Sequence, residues 1–159
     1  MKSRSLIIAL IVLLFVNSSC SQQPENYSFF KLYIKNDKNQ ILLVKWDNEW
    51  EIPGRKYKRS SSIKEFTNSM AKSYGISVSN LKLNALVTFH YSTKSNPTLM
   101  HYYSADYSSG KIKTPFGSSN IKWFSIEEAY TIIPYSEMKE IIKHIEKEPS
   151  NQIHFLFVK

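Results

Sequence analysis

The chain has 159 residues, of which 21 are Lys or Arg, 13 are Asp or Glu and one is Cys, for a formal net charge of +8. That length fits one domain with little room for a second. A hydrophobic content of 42% excludes global disorder, and a single cysteine excludes a framework of internal disulfides. Only four glycines are present, which argues against long glycine-rich phosphate loops.

Lys2 and Arg4 precede an unbroken apolar run from Leu6 to Val16. At about 1.5 Å per helical residue the run spans roughly 16 Å, about half a bilayer core. It therefore reads as a secretory signal and not as a membrane span. It ends in Asn17-Ser18-Ser19-Cys20. This ending resembles the lipobox of bacterial lipoproteins, although Asn17 stands where a Leu-like residue is usual. The resemblance implies cleavage before Cys20, acylation of its thiol and stable anchoring by several acyl chains. Ser21 follows in place of an inner-membrane retention Asp, which favours the outer membrane facing the periplasm. Loss of residues 1–19 lowers the net charge from +8 to +6. Residues 20–26 read as a short tether, and residues 27–159 as a single domain.

Tyr27 to Asn36 alternates as a strand does, Asp37-Lys38-Asn39 is a turn, and Ile41 to Trp46 completes a predicted hairpin. Trp50 to Gly54 reads as a short strand ended by Pro53. Ser62 with Glu65 makes a capping box for a helix that Gly75 closes. Ile63, Phe66, Met70 and Tyr74 form its expected core stripe, with Lys64, Asn68 and Lys72 opposite. Leu81 to Ser92 and Thr98 to Tyr107 are predicted strands joined across Ser95-Asn96-Pro97. Ile121 to Phe124 is a short strand. Ser125 caps a helix to about Ile132, and Ser136 starts another to about Lys147. Gln152 to Val158 is β-prone, as an edge strand or a packed tail. This order predicts an α/β (α+β) sandwich, with a mixed sheet between helices.

These pieces together resemble a Nudix domain. The resemblance rests on Ile41-Leu42-Leu43-Val44-Lys45, on Trp50-Glu51-Ile52-Pro53-Gly54 and on Ile121 to Ala129, in that order, and covers roughly residues 27–134. It implies an α/β/α sandwich and a Nudix box, G-x5-E-x7-R-E-U-x-E-E-x-G-U, in which U is bulky and aliphatic. Counted from Gly54, the box keeps its length through Met70, Gly75 and Ile76. Its chemistry is absent. The first Glu falls on Ser60, the Arg on Asn68, the next Glu on Ser69 and the paired glutamates on Lys72 and Ser73. The family's second glycine is Arg55.

Nudix hydrolases gather Mg²⁺ or Mn²⁺ on those carboxylates to attack a diphosphate. Positions 69, 72 and 73 share one helix face. Carboxylates there would be hard oxygen ligands, whereas Lys72 repels a cation. The expectation is a degenerate, non-catalytic domain without a cofactor. Mg²⁺ or Mn²⁺ would enter only if a hydrolase placed its metal elsewhere, for example on Glu65, Asp106 or Glu127. Arg55, Lys56, Lys58 and Arg59 form a basic loop before the helix. They are the candidate contacts for an anionic ligand near a helix N-terminus, against the plainer reading of a solvated loop.

His90 and His101 are candidate neighbours across the long hairpin, but no H-x-x-E or H-x-x-x-H pair supports zinc. Along 98–107, Leu99, His101, Tyr103, Ala105 and Tyr107 share one face and Met100, Tyr102, Ser104 and Asp106 the other. One face must meet a helix. The other is packed as well, or lines a cleft where tyrosine rings stack on a ligand. The expected function is that of a lipid-anchored protein of the bacterial cell envelope. It would bind an anionic small molecule or an envelope protein, with no nucleic acid. A structural spacer of the envelope is the remaining class.

Overall fold

The computed structural model describes residues 28–57, 61–90, 96–147 and, for the backbone alone, 153–158. Cys20, Lys58, Arg59, Ser60 and the tether lie outside the described residues, as does most of the loop around Ser95. The strands are β1 (Ser28–Lys35), β2 (Gln40–Trp46), β3 (Glu49–Glu51), β4 (Gly54–Lys56), β5 (Ile76–His90), β6 (Thr98–Gly110), β7 (Asn120–Ser125) and β8 (Ile153–Val158). The helices are α1 (Ile63–Ser73), α2 (Ile126–Ile132) and α3 (Ser136–Lys147). None of the described helices is long and apolar enough to cross a membrane.

The sheet runs β3-β2-β1-β6-β5-β8, with β4 added to β1 and β7 to β2. β1 is parallel to β6 and β5 to β8, and the other pairs are antiparallel. The sheet is therefore mixed, and β8 is the added edge strand.

Period-two alternation along β1 divides the core. Phe30, Leu32 and Ile34 turn to one face, where Phe66, Met70, Ala71 and Tyr74 of α1 cover them. Tyr33 turns to the other, with Ala129, Ile133, Met138, Ile141, Ile142 and Ile145 from α2 and α3 and the short link between them. The result is an α/β/α sandwich. Both faces of β6 are packed, Tyr103 and Ala105 toward α1 and Tyr102 toward α3. Glu146 ties α3 to the sheet by accepting from Tyr33 Oη at 2.5 Å and from Lys35 Nζ at 3.0 Å.

The starts of α1 and α2 follow from serine chemistry. Ser62 Oγ accepts from the Glu65 amide while the Glu65 carboxylate accepts from the Ser62 amide, so two otherwise orphaned donors are satisfied. Ser125 and Glu128 repeat the device at α2. Gly75 closes α1 with φ of 81°, and a Cβ there would meet the Lys111 carbonyl oxygen at 2.3 Å.

Four expectations need correction. Ile63 is 42% exposed and faces away from the sheet, because the N-terminal turn of α1 overhangs the core that begins at Phe66. The strand expected over Trp50–Gly54 breaks at Ile52-Pro53, and a separate strand β4 begins at Gly54 on β1. Arg55 and Lys56 therefore sit on a strand and not in a loop. His90 and His101 are not opposed, since the unbroken register from Ala85↔Tyr102 to Phe89↔Thr98 sets His101 against Leu86.

Candidate functional site

The α1 face that carries positions 69, 72 and 73 looks out from the sandwich. Ser69 and Lys72 are exposed and Ser73 is half-buried. Each serine hydroxyl folds back onto its own helix, Ser69 Oγ donating to the Phe66 carbonyl at 2.7 Å and Ser73 Oγ to the Met70 carbonyl at 2.6 Å. Arg55 crosses from β4, and its Nη2 donates to Ser73 Oγ at 2.9 Å. A guanidinium is thus fastened to α1 at Ser73, the residue after Lys72 in sequence. Sequence reading had grouped Arg55 with the basic run but had not connected it to Ser73. The register of β4 on β1 makes that contact.

Glu65 is committed to the capping box, which holds its carboxyl below the usual range through the Ser62 amide and hydroxyl. Asp106 accepts from Asn80 Nδ2 at 2.7 Å and lies beside Lys35 in the register, toward the other end of β1. Glu127 lies in the first turn of α2. The structure does not assemble these three. Among the described residues, no three His, Cys, Asp or Glu side chains converge as a metal site.

A cavity of about 280 Å³ opens on the opposite face of the sheet, between β1, β5, β6 and the start of α3. Lys31 and Glu51 supply its ion pair, and Phe89, Met100, Tyr102 and Met138 much of its apolar wall. Lys31 is only 4% exposed, and its Nζ lies 2.6 Å from Glu51 Oε2 and 3.2 Å from the Ile52 carbonyl oxygen. Burial pushes the Lys31 amine down, and the Glu51 carboxylate opposes that. At the rim Tyr135 donates to Glu49, which with burial pushes the Tyr135 phenol up to about 12. The sequence reading singled out neither Lys31 nor Glu51 as a site. Lys31 alternates with Phe30 and Leu32, which was the only signal that it points at the opposite layer.

Comparison with solved structures decides the architecture. The MutT protein of Bacillus halodurans superposes with a TM-score of 0.69 at 18% identity, covering 80% of this chain and 89% of that one. The NUDIX domain of Shewanella oneidensis NrtR, solved in complex with ADP ribose, gives 0.68 at 12%, covering 87% and 98%. An ADP-ribose pyrophosphatase of Streptococcus suis gives 0.63 at 14%, covering 82% and 99%. The fold is Nudix-like. No protein-family model matches the sequence, and no curated protein matches it either.

In a Nudix-like fold α1 is the helix that would present metal-binding carboxylates. The residues present do not fit a divalent ion. Two neutral hydroxyls already spent on backbone carbonyls, an ammonium and a guanidinium offer no anionic oxygen to Mg²⁺ or Mn²⁺.

His101 belongs to the packing and not to a site. Its ring stacks on Phe30 at 4.6 Å between centroids, its Nε2 is buried without a hydrogen-bond partner among the described residues, and burial holds its pKa below the ordinary 6.5. The unfolded chain therefore takes up a proton that the native chain refuses. Stability contributed by neutral His101 is complete above pH 6.5 and is lost as pH falls through the lower native value. Thermal melts of the wild type should shift downward between pH 7 and pH 5, and His101→Phe should remove part of that shift. An unchanged pH slope in the variant would contradict this assignment.

Proposed function

We propose that this protein is a lipid-anchored component of the bacterial envelope. Its Nudix-like domain holds an anionic ligand, or an anionic patch of an envelope partner, directly on cationic side chains and without catalysis. The observation that carries the reading is the Arg55–Ser73 contact. On the helix where a metal-dependent relative would need carboxylates, this chain fixes a guanidinium at Ser73, the residue after Lys72. Arg is the side chain suited to bidentate recognition of phosphate oxygens, and a resident cation makes a recruited one unnecessary. Arg55 and Lys72 form the contact set; Lys56, paired with Phe29 on β1, alternates to the opposite face of the sheet, and Lys58 and Arg59 are adjacent in sequence. The formal charge, +6 once residues 1–19 are removed, supports attraction of anions, and acylated Cys20 would hold the domain at a membrane, in the periplasm for an outer-membrane protein.

The test uses the mature full-length protein in detergent, with inorganic pyrophosphate as the probe. Pyrophosphate should bind in the presence of EDTA and weaken as salt is raised, since screening shortens the reach of exposed charges. Arg55→Ala should lower that affinity by roughly tenfold, within the range for a charge-assisted contact. Millimolar Mg²⁺ or Mn²⁺ should give no thermal stabilisation, because an ion that does not bind the native state cannot stabilise it. Metal-dependent cleavage of nucleoside diphosphate derivatives that disappears in Glu65→Gln would overturn the non-catalytic reading. In cells Cys20→Ser should abolish acyl labelling and release the protein from membranes, and unchanged retention without an acyl group would refute the anchor.

A further inference from the structure

The anion site on α1 makes no use of the cavity on the other face of the sheet. That cavity holds an ammonium taken almost wholly out of water. Buried ion pairs seldom stabilise more than well-packed apolar side chains would, so packing alone does not explain Lys31. The backbone is shaped around it. Gly54 pairs with Lys31 across β4 and β1, and a Cβ on Gly54 would lie 2.7 Å from Lys31 Cδ and 2.6 Å from the Phe29 ring. The absent side chain leaves room for the lysine stem to reach Glu51 and the cavity.

Two of the three Lys31 N–H directions are used, by Glu51 Oε2 at 2.6 Å and the Ile52 carbonyl at 3.2 Å. The remaining chemistry of that nitrogen is nucleophilic once a proton leaves. A carboxylate in direct contact can receive it, and the walls are aromatic and thioether groups. We propose that Lys31 captures small aldehydes or ketones, its Nζ forming an imine with a carbonyl compound held against Phe89, Met100 and Tyr102. Glu51 accepts a proton from the Lys31 ammonium. The freed lone pair forms the N–C bond, and the carbonyl oxygen takes up that proton to give a carbinolamine. A second proton moves from nitrogen to the hydroxyl through Glu51, water departs and the C=N bond forms. The sum is ammonium plus carbonyl giving protonated imine plus water, with no change of oxidation state. Glu137 also lines the cavity and Glu49 is held at its rim by Tyr135, so the surroundings favour a neutral carbonyl compound over an anionic one.

The experiment treats the full chain with limiting benzaldehyde and cyanoborohydride at pH 7, then locates benzylated lysines by peptide mass spectrometry. Lys31 should be labelled at least about tenfold faster than exposed lysines, which have no carboxylate held against them in an apolar cavity. In urea that preference should collapse to about one. Glu51→Gln should slow labelling of Lys31 and leave exposed lysines such as Lys64 and Lys72 unchanged. Where that variant fails to fold, the comparison of native with urea-treated wild type decides. Labelling confined to exposed lysines, or no difference between native and unfolded chains, would overturn the proposal. Neither result bears on the pyrophosphate assay of the α1 face.

Discussion

Replacing Glu51 with alanine should destabilise the protein by about 3–5 kcal/mol, the cost of leaving one member of a buried ion pair without its partner. Lys31 would keep its side chain in the sandwich, at 5% exposure, with one carbonyl as its remaining recorded acceptor. The reciprocal change should be milder. Lys31→Met leaves behind a carboxylate that is 23% exposed and can be hydrated, and the methionine fills the channel over Gly54. The double variant Lys31→Met with Glu51→Ala should recover most of the loss, because the uncompensated charge has gone. Urea denaturation of the four proteins provides the cycle. The pH dependence adds a sign. With its native pKa depressed by burial, Lys31 is destabilising while it must be charged, and this penalty shrinks as pH rises toward the unfolded value of 10.5. The Glu51→Ala deficit should therefore be smaller at pH 9.5 than at pH 7. Equal deficits for both single variants, without recovery in the double, would show that the pair is not the source.

Truncation of Met70 to alanine should cost roughly 2–5 kcal/mol, as large-to-small changes do where neighbours cannot collapse into the space. Met70 is fully buried, within the cluster where Phe66, Tyr74 and the β1 side chains Phe30, Leu32 and Ile34 meet. The same substitution at Ile63, one face over on the same helix, should change stability by less than about 0.5 kcal/mol, since that side chain is largely in water. The contrast distinguishes a packed α1 from one held by its caps alone. Comparable losses at the two positions would mean that α1 does not sit on the sheet through Met70.

The sequence carried the start, the end and most of the core stripe of α1, Ile63 excepted, because its signals are local. Ser62 and Glu65 lie three residues apart, Phe66 and Met70 four apart, and Gly75 follows, so capping, periodicity and termination are all set within one helix length. The same held for Ser125 and α2, and for the β1–β2 turn, where Asn36 and Asn39 supply the turn chemistry. The loss of carboxylates at Ser69, Lys72 and Ser73 was equally legible, since it needs only residue identity and spacing.

Tertiary structure decided everything that depends on strands meeting at long range. Period two tells which residues share a face but not which neighbour a strand has, so the parallel β1–β6 pairing and the separate strand β4 were invisible. The register adopted by β5 and β6 sets His101 against Leu86, four residues from His90, and residue types alone do not show which register a long hairpin takes. Arg55 reads as one of four basic residues until β4 aims it at Ser73 across eighteen positions. Lys31 reads as the polar member of an alternating strand, and such residues usually meet water. Here the cover of α3 removes the water and β3 supplies Glu51, so a lysine that composition counts as surface charge becomes a buried amine in a cavity. Local chemistry determined the helices and the loss of the acidic box. The placement of the two cations with functional promise was decided only when distant strands came together.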